Sequence, residues 1–272
     1  MFNSNYLSTG FVDLDRLTHG LLRSTLTVVS SRPSLGKTDF VLSILRYIAL
    51  CQKKNVYLFS LESKTEYIMQ RLLAAQSGIR KDFLREGLLR SEDWAKLEEA
   101  IVNLEKANIF INDSHDITVS GINEQIRGHI HEFKPDLIIV DYLELINSDY
   151  GQNRYEATTE IIKNLKQLAM ELVCPVVVTC QLTRDISRRE NKRPILSDLR
   201  DSGQIEYNAD TVLFLHNEDE MLNPERKNIT EVIVAKNRNG PIGAIELVYI
   251  KNIGRFANYE KTHENLSKPD QN

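Results

Sequence analysis

The residues with the most legible chemistry form the stretch Ser30-Ser31-Arg32-Pro33-Ser34-Leu35-Gly36-Lys37-Thr38. It lies between the apolar run Leu26-Thr27-Val28-Val29 and a helical pattern through Phe40, Val41, Ile44, Leu45 and Ile48. A tight loop from strand into helix, closing on Gly-Lys-Thr, is a phosphate cradle in which backbone N–H groups and the helix N-terminus meet phosphate oxygens. Lys37 neutralises charge there, the Thr38 hydroxyl takes a coordination position on Mg²⁺, and Gly36 admits the phosphates without a Cβ clash. The candidate nucleotide-binding residues are therefore Ser31, Arg32, Pro33, Ser34, Leu35, Gly36, Lys37, Thr38 and Asp39. The strict motif has glycine where Ser31 stands, so the match alone is short. An ordinary surface turn has the same residues, and the strand before and helix after favour the cradle.

Further polar groups close other apolar runs. Asp141 follows Leu137-Ile138-Ile139-Val140 and has the form of the second motif of a nucleotide site, a carboxylate that orients Mg²⁺ or its water. Glu62 closes Val56-Tyr57-Leu58-Phe59-Ser60-Leu61, where a carboxylate can orient and deprotonate an attacking water; a plain turn carboxylate is the alternative. Gln181 closes Pro175 to Cys180. Its amide can sense a γ-phosphate, and a solvent-facing turn glutamine fits equally well.

These residues need strands to carry them. Largely apolar runs at 26–29, 55–62, 109–113, 135–141 and 175–181 read as strands, apolar on both faces as in a parallel sheet. Helical spacing occupies Lys64 to Asn108, Ile122 to Phe133 and Glu156 to Val173. Strands are also predicted at Thr211 to Leu215, Glu231 to Ala235 and Ala244 to Ile250, the last two joined as a hairpin by Asn239-Gly240-Pro241-Ile242-Gly243. Strands alternating with helices give an α/β fold with a mostly parallel sheet, whose ligands bind at the carboxyl ends of the strands. Ser31, Glu62, Asp113, Asp141 and Gln181 all fall at such ends.

With 272 residues the chain fits one large domain. Lys and Arg number 34 against 38 Asp and Glu, a net charge of −4, so any nucleic-acid contact must rest on local basic loops. Cys51, Cys174 and Cys180 show no paired spacing for zinc or disulfides, which points to a reduced, cytoplasmic compartment. No secretory leader and no membrane-length apolar run is seen, so a soluble protein without membrane contact is expected.

Taken in order, these stretches resemble the C-terminal motor domain of DnaB-type replicative DNA helicases, within the RecA-like ATPases, from roughly Thr9 to Asn258. The resemblance includes Arg-Pro-Ser-Leu-Gly-Lys-Thr, where that family also usually lacks the first glycine, and Phe59-Ser60-Leu61-Glu62, Ile138-Ile139-Val140-Asp141-Tyr142-Leu143 and Cys180-Gln181-Leu182-Thr183-Arg184. Its most specific matches come late: Lys192-Arg193-Pro194, Ser197-Asp198-Leu199-Arg200-Asp201-Ser202-Gly203-Gln204-Ile205-Glu206 with Ala209-Asp210, and Lys236-Asn237-Arg238-Asn239-Gly240-Pro241.

The resemblance implies a RecA-like P-loop ATPase domain over residues 1–259, with 1–8 an N-terminal extension; residues 260–272 are polar and unpatterned, and a disordered tail is expected there. It implies ATP and Mg²⁺, with Lys37 on phosphate, Thr38 and Asp141 at the metal, Glu62 as base and Gln181 as γ-phosphate sensor. Arg238, assisted by Lys236, reaches a neighbour's site, so the assembly is a homo-hexamer. Arg200, Asp201 and Gly203 line a channel for single-stranded DNA, with Arg188 and Arg189 adding local charge; a solvated charged face is the alternative for that basic run. Primase and a helicase loader are implied as further partners. Relatives carry a separate N-terminal domain and a linker helix that this chain is expected to lack, as an excised domain or a minimal relative. Glu144 stands where the family commonly has Gln, and His19 where Gly is common. A nucleotide-gated assembly module with little unwinding is the competing function.

Overall fold

The computed structural model describes residues 5–149, 153–183, 186, 189–199, 202–217 and 226–260. Strand β1 (Tyr6–Leu7), helix α1 (Val12–Thr18) and strand β2 (Leu21–Leu22) precede the sheet. Then come β3 (Leu26–Ser31), α2 (Lys37–Leu50), β4 (Val56–Ser60), α3 (Thr65–Ser77), α4 (Lys81–Glu86), α5 (Ser91–Glu105) and β5 (Ile109–Asn112). The chain continues through α6 (Val119–His129), β6 (Leu137–Asp141), α7 (Arg154–Glu171) and β7 (Val176–Gln181). It closes with α8 (Ser202–Asn208), β8 (Thr211–His216), β9 (Ile229–Asn237), β10 (Gly243–Ile250) and β11 (Arg255–Asn258).

Among the described residues nine strands form the main sheet, in the order β11-β10-β9-β8-β3-β7-β6-β4-β5. From β8 to β5 every pairing is parallel, whereas β9, β10 and β11 are antiparallel additions. The predicted hairpin is β9–β10. Successive side chains of a strand point to opposite faces, and the core divides accordingly. Val28, Tyr57, Phe59, Ile138 and Val140 face α6 and α7 through Ile122, Ile126, Ile162 and Leu165. Val29, Val56, Leu58, Leu137 and Ile139 face α2 and α3 through Phe40, Ile44, Leu45 and Leu72. Burial on both faces is why these strands carry no polar alternation, and each full burial of such a side chain contributes about 1.5–3 kcal/mol.

The long helical pattern from Lys64 to Asn108 resolves into separate helices because Gly78 and Gly87 close α3 and α4 with φ of 76° and 69°. His19, at the end of α1, also has a left-handed φ of 61°, the conformation for which glycine is the usual residue. Among the described residues no helix is long and apolar enough to cross a membrane. The expected tail lies outside the described residues, apart from Glu260.

Candidate nucleotide site

The loop from Arg32 to Gly36 leaves the buried end of β3 and enters α2. Gly36 is the N-cap, at φ 83°. A Cβ at this position would lie 2.6 Å from Cζ of Tyr249, so the glycine answers both the backbone conformation and the approach of a ring from β10. The loop borders a cleft of about 500 Å³. Ser31 to Ser34 and Gly36 to Asp39 line it, with Glu62 and Gln181 from the ends of β4 and β7. Leu35 is not among the lining residues.

The start of α2 is tied directly to β6. Thr38 Oγ1 donates to Asp141 Oδ2 at 2.7 Å, and the Thr179 hydroxyl donates to Asp141 Oδ1. Asp141 is 3% exposed, so both of its oxygens are oriented by hydroxyls in a dry setting. Among the described residues no cluster of His, Cys, Asp or Glu could hold a metal by itself. One hydroxyl beside one carboxylate suits Mg²⁺, which keeps waters and takes substrate phosphate oxygens as ligands. Lys37 Nζ donates to the Cys180 carbonyl at 2.8 Å and lies 5.5 Å from the Tyr142 ring centroid. Burial pushes the Cys180 thiol up to about 12, which keeps it an inert side chain at neutral pH.

Glu62 is exposed at the cleft, on backbone that is held firmly. The Leu61 N–H donates to the Asp141 carbonyl at 2.8 Å, and the Leu61 carbonyl accepts from His115 Nδ1 at 2.8 Å. That bond requires the Nδ1–H form of the imidazole. The Gln181 N–H donates to Glu144 Oε1 at 2.8 Å. Burial raises the pKa of Glu144, with Lys37 and the Gln181 amide acting the other way. Asp113, also at a strand end, instead turns to accept the Thr65 N–H at 2.9 Å at the start of α3.

Asp39 is buried, 1% exposed, and its carboxylate is engaged within the protein. It meets Arg71 at 2.6 Å, Lys81 at 3.1 Å and the Tyr249 hydroxyl at 2.7 Å. It therefore fastens two cations and β10 to the head of α2. Burial alone would raise its pKa, but Arg71, Lys81 and Tyr249 outweigh burial and lower it. A folded-state pKa below the unfolded value of about 4 means that the stabilisation is complete at neutral pH and is lost as pH falls through the folded value. Asp39→Asn is expected to cost about 3 kcal/mol at pH 7, the low end for a broken buried pair. The low end applies because Arg71 and Lys81, 36% and 32% exposed, can turn to solvent. Urea unfolding at pH 7 and pH 3 checks this: equal losses at both would contradict the ion-pair account.

Lys236 and Arg238, at and just beyond the end of β9, are not among the residues lining this cleft. Lys236 Nζ donates to the carbonyls of Glu206 and Ala209, and burial with Arg238 nearby lowers its pKa. Arg238 donates to the Tyr207 carbonyl and lies 3.8 Å from Asp210. Both cations thus sit at the C-terminal end of α8, where free carbonyls favour positive charge.

A phosphate loop joined through Thr38 to a buried strand-end aspartate is shared by many nucleotide-binding sheets, and the comparison with known families decides which. The family model for the DnaB-like helicase C-terminal domain matches residues 6–258. The chain belongs to this family. It is 42% identical over 266 residues to the replicative DNA helicase DnaB of Geobacillus stearothermophilus and 40% identical to the replicative DNA helicase DnaC of Bacillus subtilis (strain 168). Each alignment covers 97% of this chain, and the chain spans 59% of the length of each relative. A solved DnaB-like replicative helicase, described with its interactions with primase, superposes with a TM-score of 0.89 at 34% identity, covering 95% of this chain and 63% of that one. A second solved structure, an isolated ATPase domain, gives 0.88 at 34% identity, covering 95% of this chain and 94% of that one. The RecA-like fold expected of a DnaB-type domain is therefore present.

The remaining DnaB-type expectations fall unevenly. Arg188, Arg200 and Asp201 lie outside the described residues. Gly203 is in the first turn of α8, and a Cβ built on it meets nothing within 4 Å. Arg189, expected to supply charge for DNA, donates instead to Asp198 at 2.6 Å and to the Arg193 carbonyl at 3.1 Å. Asp198 is 5% exposed, and a buried carboxylate needs a counter-charge, which redirects this arginine inward. Arg71, Lys81, Tyr249 and Lys251 line the cleft unannounced. Their positions on α3, α4 and β10 and just beyond it carry no local motif that sequence reading could have used.

Proposed function

We propose that this domain is the ATP-hydrolysing motor of a DnaB-type replicative helicase, moving on single-stranded DNA as a homo-hexamer and unwinding duplex DNA in the cytoplasm. The observation that carries the reading is the Thr38–Asp141 bond beside Lys37. It joins a phosphate cradle to a metal-orienting carboxylate at the carboxyl edge of a parallel sheet. Thr38 and Asp141 would hold Mg²⁺, which neutralises charge on the β and γ phosphates. Lys37 moves from the Cys180 carbonyl to phosphate oxygens when ATP enters. Glu62 orients the attacking water and accepts its proton. Gln181 registers the γ-phosphate, and a neighbour's Arg238, with Lys236, stabilises charge on the transferring group.

The segment with Arg200, Asp201 and Gly203, and with Arg188 upstream, would hold DNA phosphates in the ring's channel. By its likeness to a helicase described with its interactions with primase, primase is a proposed partner of the full protein, and the family resemblance adds a loader. The test is Mg²⁺-dependent ATPase activity with and without an oligo-dT strand. The expected result is stimulation by the strand, abolished by Lys37→Ala, with Arg200→Ala weakening DNA binding across all sequences and lowering its salt slope by about 1. ATPase activity indifferent both to DNA and to Arg200→Ala would rule out the DNA-motor reading.

A further inference from the structure

One peptide group at the end of β7 is held at both ends. Its carbonyl, that of Cys180, accepts from Lys37 Nζ at 2.8 Å and from Ser30 Oγ at 2.9 Å. Its N–H, that of Gln181, donates to Glu144 Oε1 at 2.8 Å. A planar peptide moves as a unit, so these bonds together set the direction in which the Gln181 side chain leaves the strand. Glu144 reaches this group from the short helical turn Leu143–Leu145, which follows Asp141 and Tyr142. Oε2 of Glu144 is buried without a hydrogen-bond partner. That is unfavourable for a carboxylate, and the Gln181 bond together with the nearby charge of Lys37 is what offsets it.

The bonds at the two ends differ in permanence. Lys37 must leave the carbonyl to meet a phosphate, which removes one of the bonds holding this peptide at the moment the sensor is needed. Ser30 and Glu144 do not have to move. We propose that Glu144 is a positioning residue for the γ-phosphate sensor, keeping Gln181 in register by its hold on the N–H while Lys37 changes partners. The proposal rests on the nucleotide reading above. What Glu144 contributes is an acceptor oxygen, which a glutamine side chain also has and an alanine lacks.

The experiment measures oligo-dT-stimulated ATPase for the full chain as wild type, Glu144→Gln and Glu144→Ala, with mant-ATP binding for each. Amide exchange at Gln181 is measured in the wild type with and without a non-hydrolysable ATP analogue. Glu144→Ala is expected to lose about tenfold or more in kcat, the scale of a misplaced catalytic group, with mant-ATP affinity within about twofold. Glu144→Gln is expected to restore kcat to within about threefold of wild type. The wild-type Gln181 amide is expected to stay protected when the analogue binds.

Normal kcat in Glu144→Ala, or equal loss in the glutamine variant, overturns the proposal. So does a wild-type Gln181 amide that exchanges at the rate of an open loop, a result that needs no variant to fold. Wild type that binds no mant-ATP ends the nucleotide reading and this proposal with it. Binding with a freely exchanging Gln181 amide ends this proposal alone.

Discussion

Arg238→Ala is expected to lower the kcat of the assembled protein by ~10³-fold or more while leaving ATP affinity nearly unchanged, the range measured when a finger arginine is removed from a phosphoryl-transfer site. The argument starts from where Arg238 is. It lies just past β9, donates to the Tyr207 carbonyl and is not among the residues lining the cleft of its own chain. Its side chain is 46% exposed, so its removal should cost no more than the ~1 kcal/mol of a surface contact, and a large kinetic loss would have to be catalytic. A planar guanidinium meets phosphoryl oxygens through paired donors. Arg238→Lys should therefore recover only part of the rate.

Mixing supplies the decisive readout. If Arg238 acts on a neighbour's site as proposed, Lys37→Ala chains keep that arginine and lose the cradle, and Arg238→Ala chains do the reverse. A mixture of the two inactive variants should regain ATPase activity that neither has alone, because some neighbours then form a complete site. Normal turnover in Arg238→Ala, or no recovery on mixing with oligomers intact by mass measurement, would rule out a shared site.

Glu62→Gln should reduce kcat by ~10²- to 10⁴-fold, the usual contribution of a positioned general base. Glutamine keeps the length and an oxygen acceptor but cannot take a proton from water. Glu62 is exposed, so stability should shift by no more than about 0.5 kcal/mol, and ATP should still bind. Single-turnover hydrolysis alongside equilibrium nucleotide binding separates these effects. A variant hydrolysing within about fivefold of wild type would move the base elsewhere in the cleft.

The parts of the molecule legible in advance share a physical cause. Strands such as Leu137–Asp141 are buried on both faces and read as unbroken apolar runs bounded by polar residues, and the phosphate loop is local, its function set by consecutive backbone groups. The two-residue strands β1 and β2 are too short to carry a period, and the four residues of β11, Arg255-Phe256-Ala257-Asn258, lack the unbroken apolar run that marked the equally short β5. Asp113 shared the strand-end position of the others but turned to cap α3. Arg189 had the charge expected of a DNA contact but pairs with Asp198. In both cases a nearby unsatisfied group competed for the side chain and won.

By itself the sequence determined the α/β architecture, the order of the chemical groups along the chain and the edge of the sheet to which they would be delivered. These follow from hydrophobic periodicity and from motifs a few residues long. Only the tertiary structure decided which groups meet. Thr38 and Asp141 bond across 103 residues, and Asp39 joins Arg71, Lys81 and Tyr249 across 32, 42 and 210. Glu144 and Gln181 meet because β6 and β7 are neighbours in the sheet. Burial removes water as a partner, so each buried polar atom must take whatever partner the packing brings within reach. That partner is chosen by strand order and helix placement, properties of the whole fold that no short stretch of residues contains.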